Sequence, residues 1–133
     1  NPNAMLLANT TYEIIQKIGM PEGRIPLAEC TIYLATSPKS NSAYMAINSA
    51  LELVKQTGDL PVPLHIRNAP TKLMKDIGYG VDYKYAHDYP GHFVKQQFLP
   101  DDLVGTRLWN AADNPAEQKA DALQKQRWGD SKH

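Results

Sequence analysis

Apolar residues recur at helical spacing through the first 57 positions, and punctuating residues cut that stretch into three segments. After Asn1-Pro2, a cap residue with proline at the first helical position, Leu7, Thr11, Ile14, Ile15 and Ile18 repeat three or four apart until Gly19. Pro21 and Gly23 mark a turn, and Pro26 opens a second helix whose face carries Leu27, Cys30, Thr31 and Leu34. Ser37-Pro38 ends it, because proline disfavours helix for the residue before it. Ser40 or Asn41 caps a third helix, expected to be the longest, with Ala43, Ile47, Ala50, Leu51 and Val54 on one side and Gly58 after it. Short turns between these helices make them packing neighbours.

The pattern then changes. Pro61 and Pro63 bracket an extended stretch that ends near Ile66. Pro70 opens a short fourth helix to Ile77, stopped by Gly78, and Tyr79 to Pro90 reads as an ordered loop. Phe98 to Leu103 reads as a turn and a short helix. Asn114-Pro115-Ala116-Glu117 has the form of a capping box with proline at the first helical position, which starts a last helix to about Trp128. The tail after Gly129 is expected to fray. The predicted class is all-α, residues 1–133 as one helical domain, with a long irregular excursion rich in Tyr, Pro and Gly.

Bulk properties narrow the function classes. A chain of 133 residues, 42% hydrophobic and 21% charged, suits one ordinary globular domain. Lys+Arg and Asp+Glu are 14 each, so the chain as a whole is not a polyanion binder by charge. The single cysteine, Cys30, cannot form an intrachain disulfide; among apolar neighbours it reads as a buried thiol, which fits a reducing cytoplasm. No run is long or apolar enough for a membrane span or signal peptide.

The segment Pro63–Asp88 compresses two prolines, two glycines, three tyrosines and two histidines between spaced basic residues. Its run Arg67-Asn68-Ala69-Pro70-Thr71-Lys72-Leu73-Met74-Lys75, then Gly78-Tyr79-Gly80 and Tyr85-Ala86-His87-Asp88, with Ser37-Pro38-Lys39-Ser40-Asn41-Ser42-Ala43-Tyr44 upstream, resembles the C-terminal domain of the replication-associated recombination protein A family. These are clamp-loader-like AAA+ ATPases related to the Werner helicase-interacting protein. The resemblance covers nearly the whole chain. It departs at Leu108 to Asp113, where the family usually shows a proline and a glycine. It implies a fold like the clamp-loader collar, a homotetramer, and a cytoplasmic, nucleoid-associated protein working on DNA at gaps or stalled forks. Replication-fork proteins such as single-strand-binding protein are implied candidate partners. The chain does not begin with methionine, and it reads as a fragment whose ATPase core, with ATP and Mg, lies upstream.

The chemistry-bearing residues carry alternatives. No Gly-rich phosphate loop ending in Gly-Lys-Ser/Thr, no Gly-x-Ser-x-Gly elbow and no Cys pair is present, so no catalytic residue, bound cofactor or metal site is expected within the chain. His65, His87, Asp88 and His92 are the only group with metal-ligand chemistry. The spacing from His87 to His92 is not that of a zinc helix, and hydrogen bonds to loop backbone and tyrosine hydroxyls explain these residues better. Lys39, Arg67, Lys72 and Lys75 are the DNA-binding candidates, in a stretch (36–75) that is net +3. The alternative is a solvated helix face, with Arg67 tying the extended stretch to a neighbour. Tyr79, Tyr83, Tyr85 and Tyr89 are candidates for oligomer contact; they could instead stack single-stranded bases or bury their rings to stiffen the loop. Two function classes follow: an assembly domain, or a DNA-binding module that guides the ATPase onto DNA ends or gaps.

Overall fold

The computed structural model describes residues 1–129; the tail after Gly129, expected to fray, lies outside the described residues. All regular structure among them is helical, so the all-α class holds. Two compact units form, one over 1–40 and the other from 41 onward.

The first unit is a helical hairpin. Helix α1 spans Pro2–Ile18, with the Asn1 side chain accepting from the Asn3 amide at 3.1 Å, as the Asn-Pro signal predicts. Helix α2 spans Arg24–Thr36 and starts two residues before the expected Pro26. Proline in a first turn removes an amide that has no intrahelical partner anyway, so Pro26 is accommodated inside the helix rather than opening it. Gly23 makes the tight entry. Its amide donates to the Gly19 carbonyl at 2.8 Å, and a β-carbon there would sit 2.8 Å from that same oxygen. The antiparallel pairing is seen at both ends: Asn1 Nδ2 donates to the Tyr33 hydroxyl at 3.3 Å, while Gly23 lies against the Ile15 side chain. Thr11 and Cys30 are buried, as expected for the thiol.

The second unit opens with α3, Ser42–Thr57, closed by Gly58 with φ 66°. At 16 residues it is one shorter than α1, so the third helix is not the longest. Its expected apolar side also differs. Ser42, Ala46, Ala50 and Leu53 are the half-covered positions, whereas Ile47, Leu51 and Val54 are exposed. The Trp109 indole donates to the Ser42 hydroxyl at 3.1 Å, which places the segment around Trp109 against the small-residue face. The stretch expected to be extended closes in a 3-10 turn at Leu64–Ile66. Helix α4 is only Lys72–Asp76. Thr71, not Pro70, caps it, its hydroxyl accepting from the Met74 amide at 3.3 Å. Residues 77–114 hold 3-10 turns at Ala86–Asp88, Pro90–His92 and Asp101–Leu103, the last where a short helix was expected. Helix α5, Pro115–Trp128, starts as predicted, with Asn114 accepting from the Glu117 amide at 3.0 Å. The Glu117 carboxylate also accepts from the Ala112 amide at 2.7 Å, which ties the segment before the cap to the first turn of α5. Phe93 and Phe98 set their edges against Trp128, with ring centroids 4.9 and 6.2 Å away, and fix the end of α5.

Candidate functional site

The excursion predicted to carry function is held together by Arg67. Its guanidinium donates from Nε to the Val62 carbonyl at 2.6 Å and from Nη1 to the Tyr79 hydroxyl at 3.0 Å, and it sits 5.0 Å from the Tyr79 ring centre. Both side chains are half-buried. Gly80 completes the bracket: its amide donates to the Leu64 carbonyl at 2.9 Å, its φ is 75°, and a β-carbon would lie 3.4 Å from the Arg67 oxygen. The unusual Arg67…Gly78-Tyr79-Gly80 signature thus folds back on itself.

The four basic candidates occupy different settings. Lys39 belongs to the first unit, where its ammonium donates to the Leu34 carbonyl at the end of α2, a favourable place for a cation. Arg67 is engaged as described. Lys72 and Lys75 are exposed on α4 and make no ion pair or side-chain hydrogen bond among the described residues. Their helix is too short to add a useful dipole, and Thr71 already occupies the Met74 amide.

Of the tyrosines, Tyr79 is turned inward on Arg67, while Tyr83, Tyr85 and Tyr89 are exposed. Tyr85, His87 and His92 contact one another in sequence through tilted rings, with centroids 5.0 and 4.9 Å apart. His65 contacts the Gln97 carbonyl through Nε2 at 2.7 Å. Among the described residues no three His, Cys, Asp or Glu side chains converge on one point.

A shallow cavity of about 540 Å³ is lined by Leu64, His65, Gly78, Val81, Lys84 and Gln96, among others. Gln96 clamps the Lys84 backbone. Its carboxamide accepts from the Lys84 amide at 3.3 Å and donates to the Lys84 carbonyl at 2.9 Å, so one side chain takes both backbone groups. The Gly78–Gly80 turn does not fit the phosphates of ATP: its three amides already donate to the Lys75, Met74 and Leu64 carbonyls.

A second polar centre lies at α5. Asp121 is buried, pairs with Lys125 at 2.7 Å and bonds Arg107 Nη2. The Lys125 hydrogen bond, with Arg107 beside it, holds the Asp121 carboxyl below its ordinary value of 3.8, although burial pushes the other way. Neither this triad nor Gln96, Gln97 and Trp109 was singled out from the sequence. The i, i+4 spacing of Asp121 and Lys125 is visible there, but the approach of Arg107 is not.

The profile of the family described as MgsA AAA+ ATPase C terminal matches residues 1–128. The chain belongs to this family. The match runs across both units and includes the Arg67–Tyr79 bracket. Similar relatives include a Replication-associated recombination protein A of Coxiella burnetii, 44% identical over 82% of this chain and 25% of the relative. The protein of the same name from Escherichia coli K12 is 38% identical over 90% of this chain and 27% of the relative. An ATPase WRNIP1 of Dictyostelium discoideum is 40% identical over 80% of this chain and 12% of the relative. The chain therefore spans about a quarter of the length of its bacterial relatives. The resemblance to the replication-associated recombination proteins is confirmed, and the chain is a member of the MgsA AAA+ ATPase C-terminal family. No helix among its described residues is long and apolar enough to cross a membrane.

Proposed function

We propose that this MgsA-family chain is the oligomerisation domain of a AAA+ ATPase that acts in DNA replication, recombination and repair at stalled forks. It assembles as a homotetramer in the cytoplasm, at the nucleoid, and carries no catalysis itself; ATP and Mg are held by a core outside these 133 residues. The observation that supports assembly is apolar exposure. Among the described residues Cys30 is the only buried apolar one, while large side chains such as Met5, Ile25, Tyr44, Leu51, Leu73 and Ile77 face solvent. Exposure on this scale marks interaction surface rather than a finished monomer. Light scattering across a dilution series tests the reading. Four times the chain mass is expected, and a single-chain mass at high micromolar concentration overturns it.

A second reading, a DNA-binding module that guides the ATPase onto ends or gaps, is favoured by the unpaired, exposed Lys72 and Lys75. Weak, salt-dependent binding without sequence preference is its signature. Fork proteins such as single-strand-binding protein are candidate partners on either reading.

A further inference from the structure

Hydrogen bonds to loop backbone and tyrosine hydroxyls were the expected use of His87 and His92. Among the described residues neither imidazole makes one; His65 is the histidine that does. Both residues are exposed, and their rings lie against each other, with centres 4.9 Å apart and planes inclined by 50°, which is not the parallel overlap of a stacked pair. Each ring comes from its own 3-10 turn, His87 from Ala86–Asp88 and His92 from Pro90–His92. His92 holds a left-handed backbone, φ 52°, directly after Gly91 at φ 67°. A β-carbon disfavours that conformation, and residues held in it cluster at ligand clamps and active sites.

From this geometry we infer that His87 and His92 form a two-histidine site for a divalent transition metal of the imidazole-preferring kind, such as zinc(II) or copper(II). Neutral imidazole suits these ions, and both rings have nitrogens free of hydrogen bonds to give. A metal about 2.0–2.1 Å from one nitrogen of each ring lies ~3.2 Å from each ring centre. A tetrahedral angle at the metal then sets the ring centres ~5.2 Å apart, and the right angle of a square-planar site sets them ~4.5 Å apart. The observed 4.9 Å falls between the two. The spacing from His87 to His92 is not that of a helical ligand pair; two successive turns bring the rings together instead.

No third His, Cys, Asp or Glu side chain converges on the pair among the described residues, so the chain supplies two ligands and water completes the shell. Closed structural zinc sites use four protein ligands, and two on an exposed loop give weaker, reversible binding. Mg²⁺ asks for oxygen ligands in an octahedron and is not the occupant. When bound, the metal staples the turn Ala86–Asp88 to the turn Pro90–His92 and stiffens the exposed Tyr89 between them. The inference goes beyond the oligomerisation and DNA readings and stands whether or not the chain assembles.

Zinc chloride titrated into the 133-residue chain tests the site, with calorimetry for affinity and the imidazole proton signals in NMR for location. The signals of His87 and His92 are expected to move together to a common end point. His87→Gln and His92→Asn are each expected to weaken that binding at least tenfold, since one imidazole alone does not chelate. Asn tolerates the left-handed backbone at position 92, so this variant removes the ligand and keeps the turn, with circular dichroism unchanged. Excess Mg²⁺ is expected to leave the zinc in place. The site is overturned if no saturable shift appears by about 1 mM zinc. It is equally overturned if only one of the two histidine signals moves, if either variant binds as the wild type does, or if Mg²⁺ displaces the zinc.

Discussion

Arg67 separates the architectural reading from the DNA reading most sharply. Removing it (Arg67→Ala) deletes two charge-assisted hydrogen bonds, to Val62 and Tyr79, and the guanidinium beside the Tyr79 ring. Hydrogen bonds involving a charged group contribute about 1.5–3 kcal/mol each when buried, and half-burial puts these at or below the low end. A loss of about 2–3 kcal/mol is expected. In a unit of this size that corresponds to a fall in Tm of roughly 10–20 °C, at 4–8 °C per kcal/mol. Tyr79→Phe keeps the ring and loses only the hydroxyl, for about 1 kcal/mol. Because Tyr79 is one of Arg67's partners, the double variant should cost less than the sum, with a coupling of about 1 kcal/mol in a thermal or urea cycle. The reasoning is refuted if Arg67→Ala melts like the wild type, or if the two losses simply add. A variant that stays as stable as wild type yet loses DNA affinity would make Arg67 a phosphate contact rather than a tie.

Two further outcomes follow. Asp121 has a folded-state pKa below its ordinary 3.8, so its pairing with Lys125 and Arg107 stabilises the fold fully above that pH and is lost as pH falls through the lower, folded value. The gap in urea midpoint between wild type and Asp121→Asn should be wide at pH 7 and shrink as pH falls below 3.8; a constant gap would contradict the linkage. Replacing Lys72 and Lys75 by Glu should abolish any DNA binding seen by anisotropy at low salt and leave helicity and mass intact; unchanged binding, or none in the wild type, reduces the pair to a solvated face.

The helix ends carried by local chemistry were legible. Asn1-Pro2 and Asn114-Pro115 cap helices as their residues require, and Gly19 and Gly58 stop them. Pro26 and Pro70 misled because proline marks the neighbourhood of a helix start without fixing the residue; Gly23 and Thr71 supply the entry. The apolar side of α3 was visible as a side, but periodicity alone does not tell a face that meets its own fold from one left open. Only the Trp109–Ser42 bond decides that Ser42, Ala46, Ala50 and Leu53 turn toward the fold. Among the site residues, the tie between Arg67 and a neighbour was one of the alternatives read from the sequence, with Tyr79 not identified as the partner. Arg107–Asp121 and Gln96–Lys84 had no signature at all, since each joins residues 12 or 14 apart across irregular chain.

The Gln96 carboxamide does for Lys84 what an adjacent strand would do, matching donor to acceptor and acceptor to donor. A long loop without regular pairing is an invitation to recruit such a strand from a neighbouring molecule. With that rung already filled from within, the loop offers no template there for open-ended, fibre-like growth. In a chain whose described residues leave much apolar surface uncovered, this leaves side-chain faces, and not bare peptide groups at that rung, as the surface open to contact.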